Sequence, residues 1–293
     1  MKTALRRLAA AGLVAGAMTG ALAAPPAAVV EGVQMPAWVE GANGKKTPLA
    51  PGMELSAGEQ VRTGANSRLL LKLSEGSLVK LGENGLLRIE ELRPNDGGIF
   101  RAALKVAEGA FRFTTNALAK HRRRAVNITV ATVTAGIRGT DLWGKSSPND
   151  RQVVCLIEGS IEVGAEGERP VVMDQPRQYY QRNQGETAPI GLVEPQMLGQ
   201  WALETEIAEG QGAVRAGGKW KITLSSSDTQ QGALSEYDRV RALGYPAEIH
   251  PVPAGGKLTY DVRIRHLPTR EEAEVLVARL KDKLGVAGAK ISM

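Results

Sequence analysis

The sequence predicts a multidomain chain in which an all-β N-terminal domain, a sandwich or roll of short strands, precedes a small α+β domain of ferredoxin-like order β-α-β-β-α-β. Three observations predict it. From Val33 to about Pro189 a turn signal recurs roughly every 8 to 12 residues, as it does between short antiparallel strands. From Lys219 onward, period-two segments alternate with segments whose apolar residues recur at helical spacing. Between them lies "GQGAVRAGG", a glycine-rich run that reads as a tether. The boundaries that follow are a leader over 1–23, a β domain over 33–190, a linker over 191–218 and the α+β domain over 219–293.

The leader comes first. Lys2, Arg6 and Arg7 precede an apolar stretch from Leu8 to Gly20, and Ala21-Leu22-Ala23 supplies the small-x-small pattern of a signal peptidase site, so cleavage is expected after Ala23. Without the three leader cations the net charge of +6 falls to +3, because 34 basic residues then face 31 acidic ones. The basic balance therefore says little about nucleic acid. Cys155 is the only cysteine, so no internal disulfide can form and the fold must stand on its core. No apolar run of about twenty residues follows the leader, so an integral membrane protein is not expected after cleavage.

In the first half "SRLLLKL" ends at Ser74-Glu75-Gly76, "SLVKL" at Gly82-Glu83-Asn84-Gly85, "LLRIEEL" at Arg93 to Gly98, and "ALKV" at Glu108-Gly109. Asn84-Gly85 has the composition of a two-residue hairpin. After a basic loop holding "HRRR" (His121 to Arg124), "VNITVATVT" reads as one strand running to Ala135-Gly136, followed by "DLWGKS" and "QVVCLI". In the linker "WALETEIAE" is a possible short helix. In the second half "KWKITLSS" is a strand. Asp228 with Gln231 opens a helix carrying Leu234, Tyr237 and Val240, which stops at Gly244 before Pro246. "AEIHPV" and "LTYDVRI" are the next strands. Thr269 and Glu272 open a helix with Ala273, Leu276, Val277, Leu280 and Leu284 on one face, and "KISM" closes the sheet.

Period-two alternation turns Ile222, Leu224, Val262 and Ile264 toward the helices. Lys221, Thr223, Ser225, Arg263 and Arg265 are then left on the uncovered face. Hydroxyls and guanidinium groups there suit a sugar chain bearing carboxylates and amides.

Two resemblances attach to these segments. "VRTGANSRLLLKLSEGSLVKLGENGLLRI", "EGAFRF", "VTAGIRGTDLW" and "VCLIEGSIEV", in that order, resemble the FecR-type periplasmic domain over about Val33 to Val163. Well-known members carry a cytoplasmic anti-sigma segment and a transmembrane helix before this domain. The chain shows neither, so sigma-factor signalling is not expected of it. "WKITLSS", "ALSEYDRVRALGYPAEI" and "YDVRIRHLPTREEAEVLVARLKDKLG" are similar to the SPOR domain, which implies binding to septal peptidoglycan, with glycan strands stripped of stem peptides preferred. Where that family's first strand has a glutamine and then Gly-Ser-aromatic, this chain has Thr223, Ser225, Ser226 and Ser227. On the third strand Tyr260, Val262 and Arg263 match, whereas Asp261, Arg265, His266 and Leu267 depart. The resemblance carries glycan contact to Thr223, Ser226 and Arg263, and facing alone adds Lys221 and Arg265.

No catalytic constellation is visible. His121, His250 and His266 stand apart, no spacing suggests a metal or cofactor site, and adjacent Glu90 and Glu91 point to opposite faces of their strand. "TAGIRGTDLW" lacks the following helix that a phosphate cradle needs. Gly136 and Gly139 instead suit a strand-to-strand corner, with Arg138 and Asp141 near enough to pair. Nucleic acid is not an expected partner, since RNA-recognition sheets of this order stack bases on strand aromatics. The expectation is a non-enzymatic periplasmic protein enriched at the division septum. Its partners would be peptidoglycan glycan strands and other envelope proteins. The alternative is a sensor or scaffold whose C-terminal unit has become a protein-interaction module.

Overall fold

The computed structural model describes residues 26–41, 43–93, 99–115, 123–137, 139–286 and 288–293. The leader expected over 1–23, His121, Arg122 and Arg138 lie outside the described residues. The first strands are β1 (Ala28–Gln34), β2 (Ala37–Glu40), β3 (Lys46–Pro48), β4 (Glu54–Leu55), β5 (Gln60–Thr63), β6 (Arg68–Leu73), β7 (Leu78–Leu81), β8 (Leu86–Arg93) and β9 (Ile99–Thr114). They continue with β10 (Arg123–Val130), β11 (Val133–Ile137), β12 (Asp141–Ser147), β13 (Arg151–Glu158), β14 (Ile161–Ala165), β15 (Val171–Met173), β16 (Gln178–Asn183), β17 (Glu186–Thr187) and β18 (Gly191–Leu192). Helix α1 (Pro195–Leu203) and strand β19 (Ala213–Arg215) follow.

These strands form two facing sheets. One runs β19-β1-β6-β7-β9-β12-β13-β16, with β4, β17 and β18 at its margins. The other runs β3-β2-β5-β8-β9-β10-β11-β14-β15. Their inner faces enclose Leu69, Leu71, Phe100, Leu104, Phe111, Phe113, Ile128 and Leu156, all buried, as the alternation of each strand requires.

Strand β9 belongs to both sheets, and this differs from the sequence reading. Glu108-Gly109 is not a turn between strands. Arg101 to Glu108 pair with β8, Gly109 to Thr114 pair with β12, and Gly109 at φ 84° bends the strand from one sheet into the other. A Cβ at Gly109 would lie 2.7 Å from the Cα of Gly85. Asn84-Gly85 therefore makes no hairpin: β7 pairs with β6 and β9, β8 with β5 and β9, and the dipeptide carries the chain between sheets at that close crossing. "VNITVATVT" is likewise two strands, since Ala131 at φ 51° turns β10 back onto β11. Arg123 and Arg124 open β10 rather than sitting in the loop, and Arg124 reaches the Ser77 hydroxyl at 3.3 Å.

The segment expected as a tether is packed structure. β18 pairs with β16 and β19 with β1. The helix begins six residues before the expected "WALETEIAE", because Pro195 is preset for a first helical turn. Trp201 of α1 stacks on Trp143 of β12 at 4.7 Å between centroids, with Tyr179 edge-on at 6.4 Å. Beyond the helix, Glu206 takes ion pairs from Lys80 and Arg112. The physical reason is that the outer face of this sheet carries an apolar residue, Trp143, that needs covering.

The C-terminal domain follows as β20 (Trp220–Ser227), α2 (Gln230–Ala242), β21 (Glu248–Ala254), β22 (Lys257–Leu267), α3 (Arg270–Leu284) and β23 (Lys290–Ser292). The sheet order β21-β22-β20-β23 is antiparallel throughout, with both helices on one face. Thr229 rather than Asp228 caps α2, accepting from the Gly232 amide at 3.2 Å, and the shift puts Ala233 in the core and leaves Leu234 exposed. Thr269 caps α3, and Ala273, Leu276, Leu280 and Leu284 are buried.

The two domains touch along α3 and the end of α2. Glu272 is 6% exposed, and its carboxylate accepts from the Gly210 and Ala213 amides at 2.7 and 3.0 Å. Arg279 donates to the Met35 carbonyl, and the Ala37 amide to that of Gly244. Trp38 packs so closely on Gly244 that a Cβ there would be 2.5 Å from the ring.

Candidate functional site

The uncovered face of the four-stranded sheet is where the five anticipated residues come together. Ile222, Leu224, Val262 and Ile264 are fully or almost fully buried under the helices. Thr223 is paired with Arg263, and Arg263 in turn with Glu248, so one row of the open face reads Lys290, Thr223, Arg263, Glu248 from edge to edge. Lys221 pairs with Ser292 on β23 and its ammonium donates to the Met293 carbonyl.

Two bulges rearrange the face. The register slips between Thr223 and Ser225, so that Ser225 sits opposite inward-facing Val262 and Ser226 opposite Asp261. Strict alternation put Ser225 outside; the extra residue reverses the two serines, because a bulge shifts every later side chain to the other face. Ser226 is exposed and donates to the Asp261 carboxylate at 2.6 Å. The second slip, between Trp220 and Ile222, lies opposite Arg265 and His266. His266 takes φ 68°, a left-handed conformation that non-glycine residues seldom adopt. Its neighbour Gly218 comes so near the His266 carbonyl that a Cβ would be 2.3 Å from that oxygen.

The face is more mixed in charge than its sequence reading. Glu248 pairs with Arg263 through Nε and lies 3.7 Å from Arg265. Asp261 and His250 continue the Ser226 row. Glu248, Asp261, His250 and Lys290 were missed because register across strands, which alone brings them beside the others, is not written in any one strand. Burial lowers the pKa of His266, and the Arg265 charge lowers it further, against the pull of Glu248.

A model of the FecR protein family matches residues 59–162, and a model of the SPOR domain matches residues 216–289. The chain carries a FecR domain followed by a SPOR domain. Both are non-catalytic domain families that typically occur in periplasmic envelope proteins. No curated protein matches the chain significantly. Two crystal structures of a proposed anti-sigma factor from Parabacteroides distasonis are similar to it over 77% of this chain. Their identities are 15% and 14%, the covered shares of those chains 92% and 91%, and the TM-scores 0.40 and 0.39.

Within the FecR domain, "TAGIRGTDLW" is built into the fold. Gly136 lies inside β11 paired with Asn127 and Glu162, so it is not a corner; Gly139 at φ 81° is. Asp141 is clasped by Arg112 through two hydrogen bonds of 2.9 and 2.7 Å, and those bonds raise the Arg112 pKa further above its ordinary value. Trp143 seats α1. Cys155 is fully buried, and burial pushes its thiol up to about 12. Among the described residues no group of three or more His, Cys, Asp or Glu could hold a metal ion, and no helix is long and apolar enough to cross a membrane.

Proposed function

We propose that this protein is a non-enzymatic, exported envelope protein that binds denuded peptidoglycan glycan strands through its SPOR domain, while its FecR domain engages a protein or small ligand. The open sheet face carries this reading. Thr223 and Arg263 sit side by side at its centre, Lys221 and Arg265 toward one end and Ser226 toward the other, a row of hydrogen-bonding groups with no covering element of their own sheet. The full chain should sediment with isolated sacculi at low salt, and Arg263→Gln should weaken that binding about tenfold, the loss of one charge-assisted hydrogen bond. A wild-type protein that stays in the supernatant overturns the reading.

A second reading is favoured by the pairing of Glu248 with Arg263 and of Asp261 with Ser226, which satisfies part of the face internally. In it the SPOR domain is a protein-interaction module and the FecR domain a periplasmic sensor or scaffold. A fluorescent fusion separates the two: midcell enrichment that depends on residues 219–293 supports glycan binding, and uniform peripheral signal supports the scaffold.

A further inference from the structure

The sheet face does not end at the border of the SPOR domain. At its Arg265 end a crevice of about 170 Å³ opens between the two domains. One wall is the β3–β4 connection of the FecR domain, with Pro48, Ala50, Pro51 and Met53; the other is Arg241, Glu248, Arg265 and His266. The space is large enough for a short acyl side group with a few waters, each of which occupies about 30 Å³ in the liquid.

Cations outnumber acids in it. Among the described residues Glu248 is the single carboxylate lining it, and that group is already shared between Arg263 and Arg265. Among the described residues Arg241 forms no ion pair, and its guanidinium lies 5.0 Å over the Tyr237 ring. Arg241 and Arg265 thus line the crevice with one acid, opposite a wall of Pro48, Ala50, Pro51 and Met53, and a partly desolvated setting of that kind strengthens attraction for an anion. The bulge that puts Arg265 and His266 into the same crevice holds His266 in a strained left-handed conformation, and such strain collects where a side chain has been re-aimed.

We propose that this crevice is an anion subsite of the glycan receptor, taking a carboxylate borne on a sugar of the strand that lies along the sheet, so that the FecR domain forms part of the glycan-binding surface. The proposal rests on the glycan reading above and adds a place, a chemical group and a second domain to it. A strand stripped of its stem peptides carries free carboxylates where amide-linked peptides had been, and a crevice with two arginines against one glutamate distinguishes those two states by charge.

The test uses the full chain and two probes: amidase-treated sacculi, and the same sacculi with their carboxylates converted to methylamides by carbodiimide coupling. Wild-type binding should fall about tenfold on the capped sacculi. Arg241→Gln and Ala50→Asp should each lose about tenfold on the uncapped probe and nothing further on the capped one, with unchanged thermal melts showing that both variants fold. Ala50 belongs to the FecR wall, so its effect reports the second domain directly. If both variants bind uncapped sacculi like wild type while Arg263→Gln does not, the crevice claim fails and the glycan reading stands. If wild type binds neither probe, both fail.

Discussion

Cys155 shows how far burial alone decides a residue's chemistry. It lies between Val154 and Leu156 on β13, wholly excluded from solvent, and burial disfavours the thiolate, so its pKa rises to about 12. At pH 8 the native protein should therefore not react with a thiol reagent on the timescale in which the denatured protein reacts completely. Stoichiometric labelling of the folded chain would contradict this. Arg112 and Asp141 make the opposite case: two groups whose sequence separation hid them from each other form a bidentate pair, and the motif residue Asp141 acts as a clasp between β9 and β12.

At the scale of elements, the turn between β11 and β12 depends on Gly139. Among the described residues beyond its chain neighbours, nothing lies within 4 Å of a Cβ placed there, so the cost of a side chain comes from its φ of 81°. Gly139→Val forces a β-branched residue into the left-handed region, and should destabilise the chain by about 1–3 kcal/mol. A chemical denaturation midpoint equal to wild type would count against it, whereas loss of sacculus binding without loss of stability would assign the turn a binding role. The strands were readable as apolar alternation, and the C-terminal β-α-β-β-α-β order was readable from its two helical periods. What alternation does not carry is a bulge. Ser225 and Ser226 look equivalent in "LSSS", and only the slip against Asp261 and Val262 says which faces out.

For the molecule as a whole, the decisive feature is that the FecR and SPOR domains are in contact. Glu272 was readable as part of a helix cap, yet its carboxylate reaches beyond its own domain to two backbone amides, at Gly210 and Ala213. Removing a buried carboxylate that accepts two amide hydrogen bonds leaves both donors unsatisfied, so Glu272→Ala should cost about 3 kcal/mol. It should also expose the 204–218 segment to proteolysis and split a single cooperative melt into two transitions. A single unshifted transition in that variant would show that the contact contributes nothing to the coupling. The same contact gives the crevice its second wall.

The sequence by itself determined the two-domain plan, the strand-rich first half, the secondary-structure order of the second and the faces of its helices, because each follows from periodicity and turn chemistry within a few residues. It also brought forward Thr223, Ser226, Arg263, Lys221 and Arg265. Only the tertiary structure decided that β9 serves two sheets, that 191–218 covers Trp143 and joins the body, and that Glu248 and Asp261 stand among the candidate ligand groups. Those outcomes turn on which distant segments share surface, a matter of burying apolar area and satisfying backbone amides across the whole fold, and local patterns hold no record of it.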